Sequence, residues 1–198
     1  MHSEVKDFLY RKISSNTVVA TPIIVGVCGG ASGTIFLKEN DVQIGCVAYG
    51  VCKRNNKKSL KFEGLASMSN GKGVGSKIII ELVKLSKEMG CDGQLCTQVS
   101  PYRSQNDCGK GIEHKLTNMG FYYKLGFRAD NVEVDKDIRS CIERGEEIPL
   151  RLNIFQNISL SKEAAKSLLD RENKLKELYN CQQAIISRQA KNKALNKI

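Results

Sequence analysis

The stretch Ser69-Asn70-Gly71-Lys72-Gly73-Val74-Gly75-Ser76, running into Lys77-Ile78-Ile79-Ile80-Glu81-Leu82-Val83-Lys84-Leu85, constrains this chain more than any other. Three alternate glycines leave backbone N–H groups unshielded by Cβ atoms. A helix starting there points its unpaired first-turn donors and the positive end of its dipole the same way. The combination makes an anion cradle whose natural occupant is phosphate, with Lys72 or Lys77 adding charge. The plainer alternative is a glycine-rich turn that merely precedes a helix. The helix itself is well marked: Ile78, Ile79, Leu82, Leu85 and Met89 recur at helical spacing, and Gly90 follows as a C-terminal cap. No window supplies the Gly-x-x-x-x-Gly-Lys-Ser/Thr order of a Walker loop, and alternating Gly71, Gly73 and Gly75 do not match the Gly-x-Gly-x-x-Gly dinucleotide pattern.

A chain of 198 residues, 41% hydrophobic and 26% charged, buries one good core, so the expectation is one globular domain with an appendage. No run approaches the roughly 20 apolar residues that span a bilayer, and the Met1-His2-Ser3-Glu4 start with Asp7 is not a secretory leader, which points to the cytoplasm. The eight cysteines are then expected as reduced thiols. Cys46 with Cys52, and Cys91 with Cys96, are spaced more widely than a zinc knuckle, so no metal site is expected. A net charge of +10 favours anionic partners, nucleic acid among them, although aromatics are 6% of residues and no RNA-binding aromatic motif alternates with the basic positions.

From the N-terminus, Val5, Phe8, Leu9 and Ile13 at helical spacing predict a short amphipathic helix, followed by an extended Thr17-Val18-Val19. Ile23 to Val27 read as a strand ahead of Cys28-Gly29-Gly30-Ala31-Ser32-Gly33-Thr34. Thr34 stands where a phosphate loop needs lysine, so this is a loop joining two strands. Thr34–Lys38 and Gln43–Lys53 predict a hairpin around Glu39-Asn40-Asp41, with Leu60–Met68 pairing next across Asn55-Asn56. The basic run Lys53, Arg54, Lys57, Lys58, Lys61 at that turn is either a solvated loop or a surface for an acidic acceptor. Gln94 to Val99 predict a strand parallel to Leu60–Met68 through a right-handed helical crossover.

Downstream, Phe121-Tyr122-Tyr123-Lys124-Leu125-Gly126-Phe127 resembles the Phe-Tyr-x-Lys-Leu-Gly-Phe signature of the GNAT superfamily of acyl-CoA-dependent N-acyltransferases, and Asn70 to Gly75 is similar to that family's Gln/Arg-x-x-Gly-x-Gly/Ala pyrophosphate loop. The resemblance covers roughly residues 34 to 130 and departs from the family at Asn70, which replaces the customary Gln or Arg, and at an added loop, Pro101 to Gly111. It implies an α/β (α+β) fold: a mixed, mostly antiparallel central sheet flanked by helices, with a slot for the pantetheine arm between two splaying parallel strands. It also implies acetyl-CoA, or a close relative, as acyl donor. Leu65, Ala66, Ser67 and Met68, then Asn70, Gly71, Lys72, Gly73, Val74, Gly75 and Ser76, are the positions that would hold it.

Acyl transfer from a thioester to an amine needs a neutral amine, a polarised carbonyl and a proton for the leaving thiolate. Glu63 on the preceding strand is a candidate base, acting directly or through water, or else a half-exposed strand carboxylate. Main-chain N–H groups near Leu65 to Met68 would polarise the carbonyl. Tyr122, at the family's tyrosine position, would protonate sulfur, with Tyr123 the competitor. No Cys-His arrangement implies a covalent intermediate: Cys96 and Cys108 lack a histidine partner, and His114 reads as a polar helix residue. The acceptor is an unspecified amine. The rival reading is a catalytically silent scaffold of the same fold that binds nucleic acid or acts as an adaptor.

Val132, Val134, Ile148, Leu150, Leu152, Ile154 and Phe155 predict one or two closing strands around a charged helix from Lys136 to Arg144. Residues 1–158 are then the acyltransferase-like domain and 159–198 a basic helical extension capped by Ser161. Ala165, Leu168, Leu169, Leu175, Leu178, Tyr179, Ile185 and Ile186 outline one face of that extension. Gln182 and Gln189 interrupt the face, which argues against a sustained coiled coil. The extension is either a packed helix with a solvated end or a device for dimerisation or polyanion binding.

Overall fold

The computed structural model describes residues 2–14, 17–54, 57–68, 73–99 and 117–195. Among the described residues eight strands form one sheet: β1 (His2–Ser14), β2 (Thr17–Gly29), β3 (Ser32–Glu39), β4 (Val42–Arg54), β5 (Lys57–Ser67), β6 (Leu95–Gln98), β7 (Arg128–Ala129) and β8 (Asn157–Leu160). Their order is β1-β2-β3-β4-β5-β6-β8-β7. Only β5 and β6 run parallel, so the expected mixed, mostly antiparallel sheet is the one observed.

The first thirteen-residue strand corrects the predicted N-terminal helix. β1 pairs with β2 along its whole length, with Val5 opposite Val25, Leu9 opposite Thr21 and Arg11 opposite Val19. Val5, Phe8, Leu9 and Ile13 fall at helical spacing, but a short apolar pattern does not separate helix from strand. The β-branched run in β2 supplies a partner along β1, and this long-range pairing prevails over local periodicity.

The β3–β4 hairpin closes through Asn40 (φ 51°) and Asp41 (φ 63°), the two left-handed positions of a type I′ turn, as the sequence expects. Gly29 (φ 117°) ends β2, and the connection to β3 is a tight reversal with no phosphate-loop helix behind it. The crossover from β5 to β6 is α1 (Val74–Glu88), whose Ile78, Ile79 and Leu82 are fully buried. Gly90 (φ 69°) follows it and donates to Lys87 O at 3.0 Å.

After β6 come α2 (Thr117–Lys124), β7, α3 (Val132–Glu143), α4 (Leu150–Asn153), β8 and α5 (Lys162–Leu195). The predicted closing strands are corrected here too. Val132 and Val134 open α3, because Asn131 Oδ1 accepts from Glu133 N at 3.0 Å and Val134 N at 3.1 Å, and Glu133 and Asp135 suit the positive helix end. The helix therefore starts four residues before Lys136. Leu150 and Leu152 lie in α4, a single turn after Pro149.

Ser161 caps α5 as expected, its hydroxyl accepting from Ala164 N at 3.2 Å. The boundary between residues 158 and 159 falls inside β8, and Leu160, Ala165, Leu168 and Glu172 are all buried. Further along, Leu178, Ile185 and Ile186 are exposed. Helix α1 and the start of α5 cover one face of the sheet, onto which β5 turns Leu60 and Phe62. Lys61 and Glu63 alternate to the opposite face and are exposed.

Candidate functional site

The site begins with a fault in β5. Cys46 pairs with Ala66 and Ala48 with Glu63, so Gly64 and Leu65 together oppose Val47. Gly64 has φ 64°, which makes this a bulge of the kind that needs glycine. Beyond it Met68 N donates to Ile44 O at 2.9 Å. A glycine inside a strand pattern is the one sequence signal of such a bulge, and Gly64 was readable in that sense.

The two parallel strands part next to this bulge. They pair only at Leu60 with Leu95 and Lys61 with Cys96. One residue further on, the Phe62 carbonyl accepts from the Thr97 hydroxyl at 2.7 Å, a side chain standing where a ladder amide would be. β5 then continues to Ser67 while β6 is held only by β8. The result is the expected opening between the two strands, bounded by the bulge on one side.

Behind the opening stands the head of α1. Gly73 is left-handed (φ 75°, ψ 8°), no side chain among the described residues caps the helix, and no acidic residue lies in its first turn. Lys77 N donates to Gly73 O at 3.0 Å, so Val74, Gly75 and Ser76 come before the first intrahelical donor. A Cβ on Gly75 would stand 3.1 Å from Phe121 Cζ and 3.7 Å from Leu65 Cδ2. That glycine lets the helix head, the bulge and the aromatic motif meet. Of the other predicted loop positions, Asn70, Gly71 and Lys72 lie outside the described residues, as do Cys108, His114 and the loop from Pro101 to Gly111. Lys77 turns to α5 instead of standing free as a phosphate ligand. Its ammonium is 1% exposed, 3.2 Å from Glu81 Oε1 and 3.5 Å from Glu172 Oε1.

The aromatic motif ends α2 in a compact turn: Leu125 N and Phe127 N both donate to Tyr122 O, and Gly126 (φ 97°) provides the left-handed step. Tyr122 packs edge-on against Phe121 and Phe127, with their ring centroids at 5.2 and 5.4 Å, and lies 6.1 Å from Phe62. Burial pushes its phenol up to about 12, so it is protonated at neutral pH. Tyr123 is engaged elsewhere. Its hydroxyl donates to Asp135 Oδ1 at 2.7 Å and accepts from Ala129 N at 3.0 Å, while the Arg128 guanidinium lies over its ring. Burial, reinforced by the Asp135 hydrogen bond, raises this phenol as well.

Glu63 precedes the bulge on the open face, 66% exposed, with its carboxylate 2.5 Å from the Lys61 ammonium. The Lys61 pKa is raised by that hydrogen bond and charge. Cys46, Cys52, Cys91, Cys96, Cys141 and Cys181 carry free thiols, with Cys52 and Cys96 sulfurs 3.5 Å apart. Among the described residues no three His, Cys, Asp or Glu side chains come together as metal ligands, and no helix is long and apolar enough to cross a membrane. Thr97, Asp135 and Glu172 are the contributors that sequence reasoning missed; each acts through a partner far away in the chain.

No family model matches the chain, and no curated protein matches it. Solved structures similar to it include a Bacillus subtilis acetyltransferase in complex with CoA (14% identity, 66% of this chain and 77% of that one, TM-score 0.41). An IAA acetyltransferase from Bacillus cereus is 17% identical, over 66% of this chain and 77% of its own, with a TM-score of 0.39. A putative streptothricin acetyltransferase from Bacillus anthracis in complex with acetyl coenzyme A is 14% identical, over 80% and 83% respectively, with a TM-score of 0.41. Likeness at this level describes those proteins and leaves the function of this chain to its own residues. The sheet order and the parting of β5 from β6 give a mixed, mostly antiparallel sheet open between its two parallel strands, the arrangement that the sequence resemblance implies.

Proposed function

We propose that this chain is an N-acyltransferase that moves an acetyl or similar acyl group from acetyl-CoA to an amine by direct attack. One observation carries the reading: the Gly64–Leu65 bulge and the head of α1 border the place where β5 and β6 part, and the Tyr122 ring lies 6.1 Å from that of Phe62 beside it. In this reading the N–H groups of Val74, Gly75 and Ser76, ahead of the first intrahelical donor, would hold the pyrophosphate, and the sequence motif extends that role to Asn70, Gly71 and Lys72. The opening accepts the pantetheine arm. Main-chain donors of the Leu65–Met68 stretch would polarise the carbonyl, the Met68 N–H being engaged by the Ile44 carbonyl in this structure.

The opening joins the two faces of the sheet, and the acid and base stand on opposite sides of it. Tyr122, on the α1 face beside Phe62, keeps its proton at neutral pH and gives it to the departing thiolate. Glu63, on the exposed face, takes the amine proton directly or through water. Tyr123, bonded to Asp135, holds the turn that carries Tyr122. The test is calorimetry with acetyl-CoA, followed by mass spectrometry of a panel of amines. Tight binding with acyl transfer to an amine supports the reading, absence of binding overturns it, and binding with no transfer favours the silent scaffold.

A further inference from the structure

Where α1, α2 and α5 meet, a cavity of about 220 Å³ opens beside Gly73 and Ser76. Its walls are Ile80, Leu125, Leu168 and Leu175. Pockets for whole drug-sized ligands run from about 300 to 1,000 Å³, so this one takes a single flat moiety. Lys77 of α1 also lines it, and with two polar groups of α5 it defines the chemistry. Glu172 is 7% exposed, and its Oε1, although 3.5 Å from the Lys77 ammonium, accepts no hydrogen bond among the described residues. A buried carboxylate oxygen in that state is costly unless a donor reaches it. Arg171, at the mouth, is exposed and has no ion-pair partner among the described residues.

We propose that this cavity receives the adenine of the coenzyme, its exocyclic amine donating to Glu172, while Arg171 pairs with the ribose 3′-phosphate. The inference rests on the acyl-CoA reading and extends it to a helix that carries neither sequence motif. Apolar walls suit a purine face, Glu172 Oε1, ion-paired with Lys77 but accepting no hydrogen bond, suits an amine donor, and a guanidinium binds phosphate in a fork. The cavity lies against the helix head that would hold the pyrophosphate, so one ligand reaches both.

The experiment compares CoA with 3′-dephospho-CoA by calorimetry on the full chain. Wild type is expected to prefer CoA by about tenfold or more, the scale of a charged hydrogen bond, and Arg171→Ala to lose that preference with dephospho-CoA affinity unchanged. Leu175→Trp, which fills the cavity, is expected to weaken both ligands by about tenfold while leaving a short acyl-pantetheine donor unaffected. Preference retained in Arg171→Ala, or wild-type CoA affinity in folded Leu175→Trp, overturns the proposal while leaving the acyl-CoA reading standing. Wild type binding neither coenzyme removes both. Arg171 is exposed, so its variant decides the matter even if Leu175→Trp does not fold.

Discussion

The Tyr123 hydroxyl donates to Asp135 Oδ1 over 2.7 Å and accepts the Ala129 N–H at 3.0 Å, whereas no described residue is hydrogen-bonded to the neighbouring Tyr122 hydroxyl. Two adjacent phenols in one motif thus have different environments. Tyr122→Phe is expected to keep the fold and CoA affinity and to lower turnover by about 10²-fold or more, the scale of a lost general acid. Tyr123→Phe is expected to cost about 1–3 kcal/mol of stability, because it strips a hydrogen bond from a carboxylate, with much less effect per folded molecule on turnover. Denaturant unfolding and steady-state kinetics on both variants check this, and a reversed pattern would make Tyr123 the acid.

Alkaline pH supplies a second test. Burial raises Tyr122 from 10.0 to about 12, and Tyr123 is shifted in the same direction. A group whose folded value lies above its unfolded one contributes fully below the unfolded value and loses that contribution as pH climbs through the folded one. Stability should therefore show no loss from Tyr122 below pH 10 and decline between 10 and 12, Tyr122 accounting for about 2–3 kcal/mol. Unfolding free energies of wild type and Tyr122→Phe across that window measure the difference; equal slopes contradict the buried phenol.

Gly73 is left-handed at the helix head. Gly73→Asp should place a carboxylate beside the bound pyrophosphate and weaken CoA by about tenfold or more, through repulsion between like charges. Gly73→Ala serves as the control for backbone strain, about 1 kcal/mol, without charge. Unchanged CoA affinity in folded Gly73→Asp removes the cradle.

Chain length tests where the domain ends. Cutting after Ser159 removes Leu160, Ala165 and Leu168, each no more than 4% exposed, and each buried leucine is worth about 1.5–3 kcal/mol against a total stability of about 5–15. That chain is expected not to fold. Cutting after Asn180 spares those residues together with Glu172, and should leave a folded protein that binds CoA. Circular dichroism melts distinguish the two; a folded, cooperative Ser159 chain would make all of α5 an appendage.

By itself the sequence determined what short-range chemistry decides. The helical period of α1, the Asn40-Asp41 turn, the missing phosphate-loop lysine, the Ser161 cap and the two glycine-bearing motifs are written in neighbouring residues, and they sufficed for the mixed sheet and the candidate cradle. The tertiary structure decided everything that depends on a distant partner. Residues 2–14 form a strand because β2 offers a full-length mate. Val132 and Val134 turn into a helix once Asn131 caps it, and Tyr123 differs from Tyr122 because Asp135 stands twelve residues on. Lys77 is claimed by Glu172, 95 positions away in the chain. Local patterns fix which conformations are cheap; only long-range pairing and burial select among them, and most of the site is built from those contacts.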